Sequence, residues 1–206
     1  MVHNCCPPNL TGLQKSQRIV LITVLWINAV MFIVEVVGGI HARSTSLLAD
    51  SLDMLGDTLI YWFTLYVMTK SIRWKLTAAL VKGVVMSLLG IGILVEAAFK
   101  FLSMTVPDAH VMSGIGAMAL VANIICAALI FKHRNDDLNM KSTWLCSRND
   151  MIAGVGILLA AGLVHLTGQN WPDLVVGGSI ATLIIFSGYG VVRESIHDLQ
   201  KQGTSN

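Results

Sequence analysis

Residues 47–66 read LLADSLDMLGDTLIYWFTLY, an apolar run that holds Asp50, Asp53 and Asp57. It is the second of six apolar stretches that fill most of the chain. The fifth opens with Cys146 and Asp150, in CSRNDMIAGVGILLAAG. An ionised Asp at the centre of a membrane helix costs about 2.5–3.5 kcal/mol on insertion scales. Three on one helix cost on the order of 8–10 kcal/mol on the same scale. Packing against lipid does not offset that cost. Such residues have to face a cavity, a partner charge or an ion.

Composition agrees with a membrane chain. Of 206 residues, 54% are hydrophobic and 13% charged, against about 25% charged in soluble domains. The apolar stretches predict six spans, at 19–40, 46–69, 77–103, 109–131, 149–168 and 174–193. Each is close to the ~20 residues a crossing helix needs. The expected fold is therefore an all-α membrane protein of six transmembrane helices. It divides into an N-terminal tail (1–16), a transport domain (17–199) and a short C-terminal tail (200–206). Residues 1–16 are polar, contain Pro7 and Pro8, and lack the apolar core and cleavage site of a signal peptide.

An even number of spans puts both termini on one side. Twelve of the fourteen Lys and Arg residues fall on that side, with only Arg43 and Lys100 on the other. The positive-inside bias then predicts cytoplasmic termini, in a plasma (inner) membrane. The net charge of +2 is an expression of this topology, and no nucleic-acid patch is expected. Of the four cysteines, none sits in an expected oxidising loop, so no disulfide framework is expected.

Spacing indicates what the acids do. Asp53 and Asp57 stand four residues apart, on one face of a helix, with Asp50 on or near that face. Cys146 and Asp150 repeat the four-residue step. Facing each other, the two helices would offer three carboxylates and one thiolate, a set suited to a four-coordinate divalent metal. Asp50 would orient a ligand or bind protons. The competing reading pairs Asp53 and Asp57 with Lys82, whose side chain can also reach to the cytoplasmic edge.

Local signals frame these helices. Ser44, Thr45 and Ser46 are good N-cap types before span 2. Thr105, Val106, Pro107 and Asp108 have turn composition. Glu96 and Lys100 are spaced to pair along a helix. Span 5 carries Ala153, Gly154, Gly156, Ala160, Ala161 and Gly162, small residues that predict close packing beside span 2. Three spans followed by three would make spans 2 and 5 equivalent in inverted halves, although no convincing sequence repeat supports this.

At these residues the chain resembles the cation diffusion facilitator family of divalent-metal/proton antiporters. STSLLADSLDMLGD (44–57) is similar to the family's span-2 signature, and LNMKSTWLCSRNDMIAGVG (138–156) to its span-5 entry. Lesser matches are Asn28, Glu35, Gly39, Glu96, Ala97, Asn123 and RESIHDL at the end of span 6. The resemblance covers roughly residues 17–199 and implies that Asp53, Asp57 and Asp150 are metal ligands. Cys146 falls where the family usually has His, which implies a softer site. No counterpart of the family's cytoplasmic C-terminal metal-binding domain is expected in the few residues after Leu199.

The expected function is export of Zn²⁺ or Cd²⁺ from the cytoplasm by proton-coupled alternating access. The metal is the substrate, and no organic cofactor is expected. Metal binds deprotonated ligands, so binding expels protons and protonation expels metal. Cys5 and Cys6, with His3 beside them, are candidates for collecting soft metal at the cytoplasmic mouth. A homodimer through the transmembrane helices is the expected assembly. Efflux of Fe²⁺, Mn²⁺ or Co²⁺ and a non-transporting membrane metal-binding protein are the alternatives. An enzyme is not expected, since no HExxH pair or serine nucleophile elbow lies in a span.

Overall fold

The computed structural model describes residues 15–67, 72–133 and 138–203. They form six helices in sequence, α1 (Lys15–Ala42), α2 (Thr45–Val67), α3 (Ile72–Ser103), α4 (Ala109–Phe131), α5 (Leu138–Thr167) and α6 (Trp171–Gly203). Among the described residues there is no strand. Five of the six are long and apolar enough to cross a membrane, and α2 is the one whose run is broken by aspartates. The six-helix reading of the sequence holds.

Helix limits differ from the expected spans at two places. α5 starts at Leu138 rather than at 149, so Cys146 and Asp150 lie inside the helix and not at its entry. Between Leu138 and Arg148 there is neither Gly nor Pro, so nothing in the polar segment stops a helix from continuing. α6 likewise runs on to Gly203, through most of the expected tail.

α2 is the hub. It contacts α1, α3, α4, α5 and α6, and no other helix touches all five of its fellows. Large apolar side chains point outward along α1 and α3–α6, as in Trp26, Leu88, Leu159 and Phe186, whereas among the described side chains of α2 the only exposed large apolar one is Trp62. An apolar exterior around a polar interior is the arrangement expected in lipid. The most extensive helix contact joins α3 to α6. There a Cβ on Gly83 would come within 2.9 Å of Gly188 O, so only glycine lets the two backbones approach so closely.

The small residues of α5 serve different neighbours from those expected. Gly154 lies against Leu120 of α4 and Gly156 against Val176 of α6, while the contact between α5 and α2 is slight. Equivalence of α2 and α5 is also incomplete: α2 touches α6, but α5 does not touch α3.

At the end of the bundle away from the chain termini, α2 is clamped by a residue the sequence reading did not single out. Asp173, in the first turn of α6, is buried. Its carboxylate accepts from Ser44 Oγ (2.7 Å), Thr45 N (2.7 Å), Ser46 N (3.0 Å) and Ser46 Oγ (2.6 Å). It thus caps α2 from another helix, satisfying N–H groups that have no partner within α2. Ser44 adds the expected local cap, accepting from Leu47 N at 3.2 Å. Thr45 Oγ1 donates to Glu96 Oε2 at 3.0 Å, and the expected Glu96–Lys100 pair is formed. Gly177 lets α6 lie on this cap, because a Cβ there would come within 2.7 Å of Ser46 N.

Asp173→Ala should therefore leave two backbone N–H groups and two hydroxyls of α2 buried without an acceptor. The expected loss of stability is on the order of 3 kcal/mol. Thermal unfolding of the purified protein in detergent checks this, with exposed Glu194→Ala as the neutral comparison.

Candidate metal centre

Four aspartates from two helices meet in the bundle interior. Asp50, Asp53 and Asp57 of α2 and Asp150 of α5 line one narrow cleft, together with Met54. Spacing on α2 puts the three acids on successive turns of one face. The fourth arrives because α5 passes α2 at this level.

The carboxyl groups sit close together. Asp53 and Asp150 are within hydrogen-bonding reach of each other across the two helices. Glu35 of α1 lies beside Asp50. Glu35 and Asp50 are both fully buried, and no donor reaches any of their four carboxylate oxygens. Two facing carboxylates accept and cannot donate, so only a shared proton or a cation can join them. As the side chains stand, no three His, Cys, Asp or Glu groups among the described residues converge tightly enough to hold a metal ion.

Several neighbours orient the acids. Tyr61 Oη, one turn after Asp57, donates to Asp57 Oδ2 at 3.0 Å. Its i+4 spacing was readable in the sequence. Asn123 of α4 is buried and donates through Nδ2 to Asp150 O at 3.4 Å, tying α4 to the turn that carries the α5 acid. Lys82 of α3 does not extend to the membrane edge: its Nζ donates to Gly56 O at 2.7 Å. That carbonyl, flanked by the turns of Asp53 and Asp57, outcompetes the interface because α3 passes close to α2 here.

The two cysteines among the described residues differ. Cys126 is buried and free, with its thiol 3.9 Å from Asn28 Oδ1, as expected of a core cysteine. Cys146 is half-buried and carries a disulfide. No disulfide was expected, because counting cysteines by compartment says nothing about which chain segments come together. Cys146 does not line the cleft formed by the four aspartates. Cys5, Cys6 and His3 also lie outside the described residues. Away from the cleft, the rings of His110 and His165 meet edge to face, with centroids 5.3 Å apart.

Crowded carboxyl groups repel when ionised, and a cation between them removes the repulsion. Asp150→Asn should therefore stabilise the metal-free protein, by about 1 kcal/mol, while weakening stabilisation by added Zn²⁺ or Cd²⁺. Melting curves with chelator and with metal read both effects. A variant melting below wild type in chelator would contradict the repulsion.

Known proteins share this arrangement of sequence. A family model described as the cation efflux transmembrane domain matches residues 21–200. The cadmium, cobalt and zinc/H(+)-K(+) antiporter of Bacillus subtilis (strain 168) is 28% identical over 205 residues, covering 93% of this chain and 66% of its own length. Zinc transporter ZitB of Escherichia coli (strain K12) is 28% identical over 186 residues, covering 84% and 59%. The metal cation efflux system protein CzcD of Cupriavidus metallidurans is 23% identical over 200 residues, covering 91% and 62%. The chain thus spans somewhat less than two thirds of the length of these relatives.

Proposed function

We propose that this chain, which belongs to the cation efflux transmembrane-domain family, exports a divalent transition metal in exchange for protons. The observation that carries the reading is the cleft lined by Asp50, Asp53, Asp57 and Asp150 inside a membrane bundle. Zn²⁺ and Cd²⁺ are the proposed cargo. The names of the relatives, which include zinc, cadmium and cobalt, support that choice.

Asp53, Asp57 and Asp150 are the proposed ligands, with Asp50 orienting them from the α1 side. Asp53 and Asp150 lie beside each other across the helix boundary, which supports closure of the cleft on a divalent ion. Metal takes the place of protons between the carboxyls, and protons arriving from the other side displace the metal. Alternate exposure of the same cleft to the two sides completes the exchange. The cycle runs outward from the cytoplasm if the basic loops mark the cytoplasmic side. Metal capture by Cys5 and Cys6 and a homodimer through the transmembrane helices remain part of the proposal.

Flux into proteoliposomes tests the function. Wild type should accumulate Zn²⁺ or Cd²⁺ and dissipate an imposed pH gradient as it does so. Asp57→Ala and Asp150→Ala should insert normally and carry no metal, because each removes a charged ligand. Metal flux that follows membrane potential and ignores the pH gradient would replace exchange with a channel. Metal bound without flux would leave a membrane metal-binding protein.

Cys146 is proposed as the fourth ligand only in its reduced form, since a disulfide sulfur is not a thiolate. Reductant should then shift selectivity toward Cd²⁺, and Cys146→His should shift it toward Zn²⁺. Competitive transport by wild type, Cys146→His and Cys146→Ala, each with reductant, reads the shift. Identical Zn-to-Cd ratios in all three would remove Cys146 from the site. Its disulfide and its place outside the cleft favour that second reading, a carboxylate-only site suited to harder ions such as Mn²⁺, Fe²⁺ or Co²⁺.

A further inference from the structure

Lys82 is a basic residue inside a membrane span, and its position needs a cause. It belongs to the apolar part of α3, Ala79–Ser103. A buried ammonium is costly in lipid, and a Lys near a helix end ordinarily extends to the interface. This one turns inward. Its Nζ donates to Gly56 O at 2.7 Å, on the α2 backbone between Asp53 and Asp57. Close approach of the helices makes this possible. Met86, one turn along the same face of α3, packs on Gly56, where a Cβ would lie 3.0 Å from Met86 Cε.

The hydrogen bond goes to a carbonyl and not to an acid. Among the described residues, the ion pairs are Glu96–Lys100 and Asp198–His197, so no Lys or Arg is in ion-pair contact with the four cleft aspartates. Gly56 lies between Asp53 and Asp57 in α2, so the ammonium anchored on its carbonyl stands beside the turns that carry both acids, and its charge acts on them through space. An ammonium has three donors, of which one is used on Gly56 O. The result is a fixed positive charge beside the cleft that leaves the carboxylate oxygens open.

We infer that Lys82 is a specificity-determining residue of the proposed transport site: a tethered counter-charge, anchored on Gly56 O, that weakens divalent-metal binding and hastens release. The inference rests on the transport reading above. Its physics is simple. In a medium of low dielectric, like charges several ångströms apart repel strongly and are little screened by salt. A bound divalent ion feels that repulsion doubly, because it carries twice the charge of a monovalent one. When the metal has left, the same ammonium offsets part of the negative charge of the cleft. A site of several carboxylates would otherwise hold a divalent ion too tightly to turn over, and transport needs binding that is also reversible.

The test separates charge from structure. Lys82→Gln keeps a donor for Gly56 O and loses the charge, whereas Lys82→Arg keeps the charge. Equilibrium Zn²⁺ binding to the purified full chain and Zn²⁺ transport in proteoliposomes are measured for wild type and both variants. Lys82→Gln should bind Zn²⁺ about tenfold more tightly, with KM lowered by a similar factor and kcat reduced by slower release. Lys82→Arg should stay close to wild type in all three. If Lys82→Gln does not insert, Lys82→Met reads the same loss of charge. Unchanged or weaker Zn²⁺ binding in the neutral variant would overturn the inference, as would equal changes in Gln and Arg. Failure of wild type to bind or carry any divalent metal would instead remove the transport reading itself.

Discussion

Carboxylates in a low-dielectric interior are the constraint around which this bundle is arranged. α2 carries three of them, and no lipid-exposed position tolerates that. The chain answers by surrounding α2 with all five other helices. Their outer faces are apolar, and their inner faces supply the groups that the acids need: Tyr61 from α2 itself, Lys82 from α3, Asn123 from α4 and Asp150 from α5. A helix too polar to cross alone becomes the centre of one that does.

The supports of α2 are uneven along its length. At one end Asp173 accepts four hydrogen bonds from its cap, Thr45 binds Glu96, and Gly177 admits the α6 backbone. This end is held by directional polar contacts to α3 and α6, which are themselves packed through Gly83 and Gly188. At the cleft, by contrast, α2 meets α5 through carboxyl groups and slight packing. Helix packing in lipid lacks a hydrophobic drive and depends on close fit and hydrogen bonds. The α2–α5 boundary has little of either, so its separation depends on what occupies the space between the acids.

Much of this was legible from residue types. Six apolar runs gave six helices, and the i, i+4 step of Asp53 and Asp57 gave a shared face. Asp150 joins them because it lies at the matching depth of an apolar run. What sequence could not supply was contact between distant segments. Asp173 looks like an ordinary acid in a first helical turn, and only the arrival of α6 beside Ser44–Ser46 makes it a cap for α2. Cys146 looks like a ligand by its spacing from Asp150, yet the cleft is lined without it. The small residues of α5 signalled close packing correctly, but not that α4 and α6 would be the neighbours.

Glu35 shows how the same principle reaches beyond the cleft. Burying a carboxyl without a donor costs several kcal/mol unless it is neutralised or paired. Two such groups, Glu35 and Asp50, lie together, one on α1 and one on α2, and neither has a donor. A single hydrogen ion between them would satisfy both helices at once, and its loss would set two negative charges against each other. Asp50 also lines the cleft with Asp53, Asp57 and Asp150. The charge held by the four aspartates is therefore felt at the α1–α2 contact as well as at the α2–α5 boundary. Any cation entering or leaving the cleft changes the balance on both sides of α2, which is why the hub helix and the acidic helix have to be the same one.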